Sequence, residues 1–409
     1  MKKRAMMKGD LKQFGMLIAL LTIIIMFAIL TDGRSLKPMN IANLINQNAY
    51  VVILAVGMLL CILTGGNIDL SVGSTVALIG AFAGTFIITW GWNIYLSIGL
   101  CLVIGVLLGM WQGFWIAYVG IPPFITTLSG MLVFRGATLL LLNGLTIAPF
   151  PSEYTSLSTG FLPDIVDDFR FMESKNLLCL LVGAAAVIIY VFSKIIANLN
   201  KKKKGYESEK FLPMMVKMAL LSAAVLYVTY LLSCHKGIPT VLIILAILVL
   251  FYSFFTKNTI YGRYLYAIGG NEKAARLSGV KTKRMMFFAY ANMSFIAAIA
   301  GLVFAARLNS ASPEAGKSFE MDAIASCFIG GASAYGGTGT IGGALIGALI
   351  MGVLNNGMSI MGISSNRQQV VKGLVLLVAV AVDVIGKQQL NLPAFLKRKR
   401  VETANARMK

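Results

Sequence analysis

Asp69 is the residue least expected from its surroundings in this sequence: a carboxylate just inside an apolar run, with Asn67 and Ser71 beside it. A carboxylate there has two ordinary uses. It can cap the helix that follows, accepting backbone N–H bonds at the positive end of the helix dipole. If the run lies in a membrane, it can instead contact a proton or a polar substrate. Spacing leaves both open. Asp322 opens a later apolar run and invites the same capping reading, whereas Arg135, Lys372 and Asp383 stand singly in apolar surroundings and read as snorkelling or paired side chains.

Nothing in the sequence assembles a catalytic or metal site. His235 is the single histidine, beside Lys236 at the edge of an apolar run, with no second ligand near it. The five cysteines, at 61, 101, 179, 234 and 327, lie in or beside apolar runs without CxxC spacing and read as packing residues. Ala315-Gly316-Lys317-Ser318 ends like a phosphate loop, but the glycine that such a loop requires first would fall on Ala311. Gly337, Gly339 and Gly342 match GxGxxG between apolar runs and without a βαβ context, so the match is one of composition. No cofactor and no enzymatic chemistry are expected of this chain.

The elements that must hold these residues are set by composition. Of the 409 residues, 57% are hydrophobic and 13% charged, against about 45–50% and 25% in soluble domains. So few charges cannot cover a water-soluble surface. A spanning helix needs about 20 apolar residues, and such runs recur at 13–30, 43–63, 69–89, 94–118, 123–142, 176–197, 212–232, 239–255, 285–306, 322–334, 341–360 and 370–385. The expected fold class is therefore all-α, a polytopic transmembrane bundle of about twelve spans in one domain, 1–409. The first run follows a charged head as in a signal peptide, but it lacks a small-residue cleavage site and reads as a span.

The net charge of +20 comes from basic residues clustered at 2–12, 201–204, 257–284 and 397–400, between the runs and at both ends. This is the positive-inside distribution, which points to anionic inner-leaflet lipid and not to nucleic acid. With both termini inside, alternation puts 144–175 outside as an extracellular loop, and puts the basic loop 198–211 and the segment 257–284 in the cytoplasm. Charge and parity agree.

Glycine marks the breaks. Thr64-Gly65-Gly66-Asn67 and Gly330-Gly331-Ala332-Ser333 interrupt apolar runs in corresponding places, a faint internal repeat with broken helices of the kind transporters carry. Gly105, Gly109 and Gly113, and again Gly339, Gly343 and Gly347, form small-residue stripes suited to close helix packing. In the cytoplasmic segment, Asn271 can cap a short helix, Glu272 favours its start, Arg276 its last turn, and Gly279 its end. Such a helix, held at both ends by spans, suits the docking of a soluble partner.

Three stretches carry a resemblance: Thr64-Gly65-Gly66-Asn67-Ile68-Asp69-Leu70-Ser71-Val72-Gly73, Gly120-Ile121-Pro122-Pro123-Phe124-Ile125-Thr126-Thr127-Leu128, and the segment 262–280, extended by Phe328-Ile329-Gly330-Gly331-Ala332-Ser333 and Gly352-Val353-Leu354-Asn355-Asn356-Gly357-Met358. Together they resemble the permease subunits of ribose, xylose and galactose ABC importers over nearly the whole chain. The extra apolar pair around 201–204 is similar to the xylose and multiple-monosaccharide branch. The resemblance implies import of a monosaccharide across the plasma membrane by alternating access. It also implies a second copy of the permease, a separate ABC ATPase, and an extracytoplasmic sugar-binding protein. It places Gly269, Gly270, Asn271, Glu272, Ala275, Arg276, Leu277 and Gly279 in coupling to the ATPase. For the translocation path, polarity alone offers Asn67, Asp69, Ser71, Asn355 and Asn356. The rival reading is an ion-coupled secondary sugar transporter with Asp69 or Asp383 as carrier.

Overall fold

The computed structural model describes residues 2–164, 176–203, 205 and 211–388. The basic cluster 397–400, most of the basic loop around 204–210, and 165–175 of the expected extracellular loop lie outside the described residues. Among the described residues fifteen α-helices follow in order: α1 (Lys2–Leu30), α2 (Pro38–Leu63), α3 (Val72–Gly84), α4 (Ile94–Phe114), α5 (Pro123–Leu142), α6 (Ser152–Thr159), α7 (Leu177–Lys203) and α8 (Phe211–Ser233). Then come α9 (Thr240–Asn258), α10 (Ile260–Gly270), α11 (Glu272–Leu277), α12 (Thr282–Leu308), α13 (Phe319–Ile329), α14 (Ile341–Ile360) and α15 (Ser365–Gln388). Wide turns prolong α3 to Thr89 and α4 to Val119. Among the described residues, extended pairing is limited to two isolated bridges, Ile147 with Ala311 and Phe161 with Pro239.

Ten of these helical stretches are long and apolar enough to cross a membrane, and α1 adds the shorter apolar stretch Gly15–Leu30. The expected span at 322–334 is corrected. Its helix is α13, 11 residues long, which rises only about 16 Å at 1.5 Å per residue against roughly 30 Å of hydrocarbon. The chain nevertheless changes ends there. Ala311 pairs with Ile147 at one end of the bundle, and Gly337 donates from its N–H to the Leu63 carbonyl (3.2 Å) at the other. The crossing is made by an irregular stretch, 309–318, followed by the short helix.

α2 is the axis. It contains no charged residue, and from Val51 to Leu63 it is apolar all round and buried; it packs against α12, α13, α14 and α9. The glycine stripe of α4 seats that helix on α12: a methyl added at Gly109 would lie 2.6 Å from the Tyr290 carbonyl oxygen. The second stripe seats α14 on α13, with Gly343 against Gly330 and Gly347 against the Ser326 carbonyl. The outer helices keep apolar side chains exposed, and α15 has no buried part in its spanning window where α2 has 83%. Outside a membrane that surface would face water; inside one it faces lipid.

Two helices begin halfway through the bundle. Gly301 of α12 lies against Val76 and Ile79, so α3 starts level with the middle of α12. Phe319, the first residue of α13, stacks on Tyr50 at 3.7 Å, midway along α2. The two starts meet: a methyl on Gly73 would overlap the Gly316 carbonyl.

Candidate functional site

The segment 257–284 builds two helices, and the expected short helix is narrower than 269–279. Gly269 and Gly270 end α10, while α11 is Glu272–Leu277. Its local chemistry is as read from sequence. Asn271 Oδ1 accepts from the Ala274 N–H at 3.0 Å, Glu272 and Arg276 occupy the first and last turns, and Gly279 turns the chain away at φ 86°, a conformation that glycine adopts without steric cost. Ala275 is buried, whereas Glu272, Arg276 and Gly279 are exposed. Leu277 is 90% exposed, so α11 offers an apolar knob at its tip.

Gly269 is where this lever meets the bundle. A methyl there would overlap the Leu63 carbonyl oxygen and the Gly337 amide, and one on Gly336 would crowd the Gly65 backbone. Tyr266 adds a hydrogen bond from its hydroxyl to the Gly339 carbonyl, 2.8 Å; burial raises its phenol above the ordinary range, which keeps the donor proton in place. Gly66 in turn abuts the Ala334 carbonyl. The two glycine-rich breaks thus touch each other and α10, three separate sequence motifs brought to one point. Tyr266 carries a contact that polarity did not single out.

From that point the chain runs from Thr64 to Ser71 without helix. Asp69, fully buried, does not cap α3: its Oδ1 accepts from Ser71 N (2.8 Å) and Ser71 Oγ (2.6 Å). This local turn delays the helix to Val72, three residues later than the apolar run begins. Gln112 of α4 donates to Ser71 Oγ at 2.7 Å. Gln112 is an amide inside an otherwise apolar helix, a signal that could have marked it in the sequence. Asn67 reaches Thr64 Oγ1 (3.2 Å) and the Met286 sulfur (3.7 Å).

Asp322 does not cap either. It lies in the first turn of α13, accepts from the Tyr50 hydroxyl at 2.8 Å, and pairs with Lys372 of α15 at 3.0 Å. The other singly placed ions are held as well. Arg135 donates to the carbonyls of Pro313 and Ala315, at 2.6 and 2.7 Å, and Asp383 accepts from the Ala334 N–H at 3.2 Å. α15 therefore spans α13 from its first turn to the loop beyond its end.

The five polar residues offered for the path do not converge. Asn67, Asp69 and Ser71 follow the far end of α2. Asn356 exchanges reciprocal bonds with Asn40 (2.9 and 3.1 Å) and approaches Gln47. At 1.5 Å per residue, Gln47 and Thr64 are about 25 Å apart along α2. Asn355, beside Asn356 on α14, is buried with its Oδ1 unpartnered.

The chain resembles known permeases along its length. The family model described as "Branched-chain amino acid transport system / permease component" matches residues 40–380. The xylose transport system permease protein XylH of Haemophilus influenzae is 38% identical over 381 residues, 93% of this chain and 98% of that protein. XylH of Escherichia coli K12 is also 38% identical, over 93% of each chain. The ribose import permease protein RbsC of Escherichia coli K12 is 34% identical, over 93% of this chain and 96% of its own. No solved structure matches the chain at a significant level. This polytopic helical bundle with broken helices, matched by that family model over residues 40–380, belongs to the branched-chain amino acid transport system permease component family.

Proposed function

We propose that this chain is the multi-pass membrane permease subunit of an ATP-binding-cassette importer that moves a monosaccharide across the plasma membrane by alternating access. Its relatives are named for xylose and ribose transport, and the work is supplied by a separate ATPase. The observation that carries the reading is α11: a capped, exposed helix with Leu277 at its tip. α10 joins it to Gly269, which is wedged against the end of α2 and the loop before α14. A push on α11 reaches the unwound segment at Asp69 on one side and α13 on the other. A coupled equilibrium shifts only by the binding energy that differs between its states, and rigid backbone contacts of this kind deliver such a difference.

Both termini and 257–284 face the cytoplasm, as the basic clusters demand. The sugar-binding protein docks at the opposite end, a second permease copy completes the pathway, and lipid covers the exposed apolar helices. The residues 269–272, 275–277 and 279 couple to the ATPase. Asn67, Asp69 and Ser71 line the path from the inner end and Asn355 and Asn356 from the outer.

The test is sugar uptake into vesicles carrying the permease, its ATPase and its sugar-binding protein. Uptake is expected to require ATP, and Leu277→Asp is expected to release the ATPase from the membrane while the melting temperature stays unchanged. Uptake that survives without ATP and collapses with the ion gradient would overturn the importer reading.

A further inference from the structure

The segment at Asp69 and the helices beside it carry more buried oxygen atoms than they satisfy. Asp69 Oδ2, Gln112 Oε1, the Tyr290 hydroxyl, and the Ser74 and Ser294 hydroxyls are all buried with no hydrogen-bond partner among the described residues. Contacts bring the first three of these together. Asn67 touches Met286. Two residues of non-helical chain beyond Asn67 rise about 7 Å, and one helical turn beyond Met286 rises about 5.4 Å, so Asp69 and Tyr290 each lie one short step from the Asn67–Met286 contact. On the third side, Gly109 lies against the Tyr290 carbonyl and Ser294 Cβ, and Gln112 follows it by one turn on the same helix, bonded through Ser71 to Asp69.

No positive side chain answers the carboxylate. α3 and α4 contain no charged residue at all. α2 contributes the Cys61 thiol and α12 the Tyr290 phenol as titratable neighbours; Lys283 and Arg284 of α12 are exposed, and the Glu320 carboxylate of α13 lies against Gly73, four residues on from Asp69. Arg135 of α5, the helix packed on α3, spends its guanidinium on the carbonyls of Pro313 and Ala315. Among the described residues Asp69 has no ion pair. An isolated carboxylate in a dry interior costs far too much to persist as such; it is neutralised by a proton or by a bound cation.

We propose that Asp69, Gln112 and Tyr290 form an occluded site for one monovalent cation, carried on the Asp69 carboxylate with the amide and phenol oxygens completing its shell. The donor set is hard oxygen throughout and carries a single negative charge, which fits a proton or a dehydrated Na⁺ and not a divalent ion or a soft metal. The cation adds to the Gln112–Ser71 and Asn67–Met286 contacts that already hold the unwound segment 64–71 to α4 and α12. Its occupancy is read from the stability of the permease alone, with neither sugar nor ATPase present.

The full-length permease, purified in nanodiscs, tests this by thermal unfolding in two series. One adds NaCl against choline chloride at fixed pH; the other lowers the pH in choline. A ligand bound by the folded state alone raises the melting temperature with the logarithm of its concentration. An Na⁺-dependent rise of a few degrees identifies the alkali ion as the occupant. A rise on acidification without an Na⁺ response identifies the proton. Asp69→Asn is expected to abolish whichever response wild type gives. If that variant does not fold, Gln112→Met decides, with an expected loss of several-fold in apparent affinity. Wild-type protein indifferent to both series, or a response unchanged in Asp69→Asn or Gln112→Met, overturns the proposal.

Discussion

Asp69 and Asp322 are each almost wholly buried, at 0% and 1% exposure, and each stands near the start of a helix that begins halfway through the bundle. Their surroundings differ in kind. Asp322 has a cation, Lys372, and a phenol donor, Tyr50, supplied by two other helices. Asp69 has only the hydroxyl and amide of its own neighbour Ser71. The lesson concerns what each charge does for the fold. The Asp322 pair joins α15 to the core, since α13 is the main helix against which α15 packs. Asp69 shapes a local turn and joins nothing by charge. One site is a structural tie, and the other can change its occupancy without dismantling the bundle.

The comparison breaks most sharply at Lys372. Lys372→Met leaves Asp322 buried and uncompensated, an expected loss of about 3–5 kcal/mol in unfolding free energy. The double variant Asp322→Leu with Lys372→Met is expected to recover most of it, because the pair's desolvation disappears with its attraction. Denaturant unfolding in detergent reads both; equal stability of the single and double variants would mean that the pair is not the tie. Tyr50→Phe keeps the stack on Phe319 and removes one bond to a charged acceptor, for an expected loss of about 1.5–3 kcal/mol.

Gly269→Ala probes the foot of both regions at once, because the wedge touches Leu63 before the Asp69 segment and Gly337 beyond α13. Overpacking of this kind costs about 1–3 kcal/mol. The larger consequence is expected in coupling: the ATPase in the reconstituted complex stays active while sugar uptake falls. Uptake unchanged in this variant would remove Gly269 from the relay.

How far these features were legible depends on the reach of the interaction. The cap at Asn271, the charges on Glu272 and Arg276 and the stop at Gly279 are contacts within one helical turn, and the sequence pattern states them directly. Apolar runs state the long helices for the same reason. Asp322 misleads because its partner lies 50 residues away, so a local rule assigns it a cap that Tyr50 and Lys372 pre-empt. Asp69 misleads by two residues: the bond to Ser71 that stands in for a cap also keeps 69–71 out of the helix. Asn67 and Asn356 look alike in polarity, and only the course of α2 separates them. Gln112 and Tyr290 become informative once α4 and α12 pack on each other and leave an unpartnered oxygen on each.

The smallest expected effect is also the most discriminating. Asp69→Asn preserves an oxygen for the Ser71 N–H and hydroxyl and removes only the need for neutralisation, so unfolding free energy is expected to change by under about 1 kcal/mol. Asp322→Asn, an identical substitution at similar burial, strands Lys372 and is expected to cost about 3–5 kcal/mol. Measured side by side in one detergent at one pH, the two variants need no knowledge of substrate or partner. A large loss at Asp69 would mean that its carboxylate is charged and paired with a group the bundle supplies, and the distinction between tie and exchangeable site would fail. A near-neutral Asp69→Asn beside a crippled Asp322→Asn would establish that two acids buried alike do opposite work, because only one of them was given a cation by the fold.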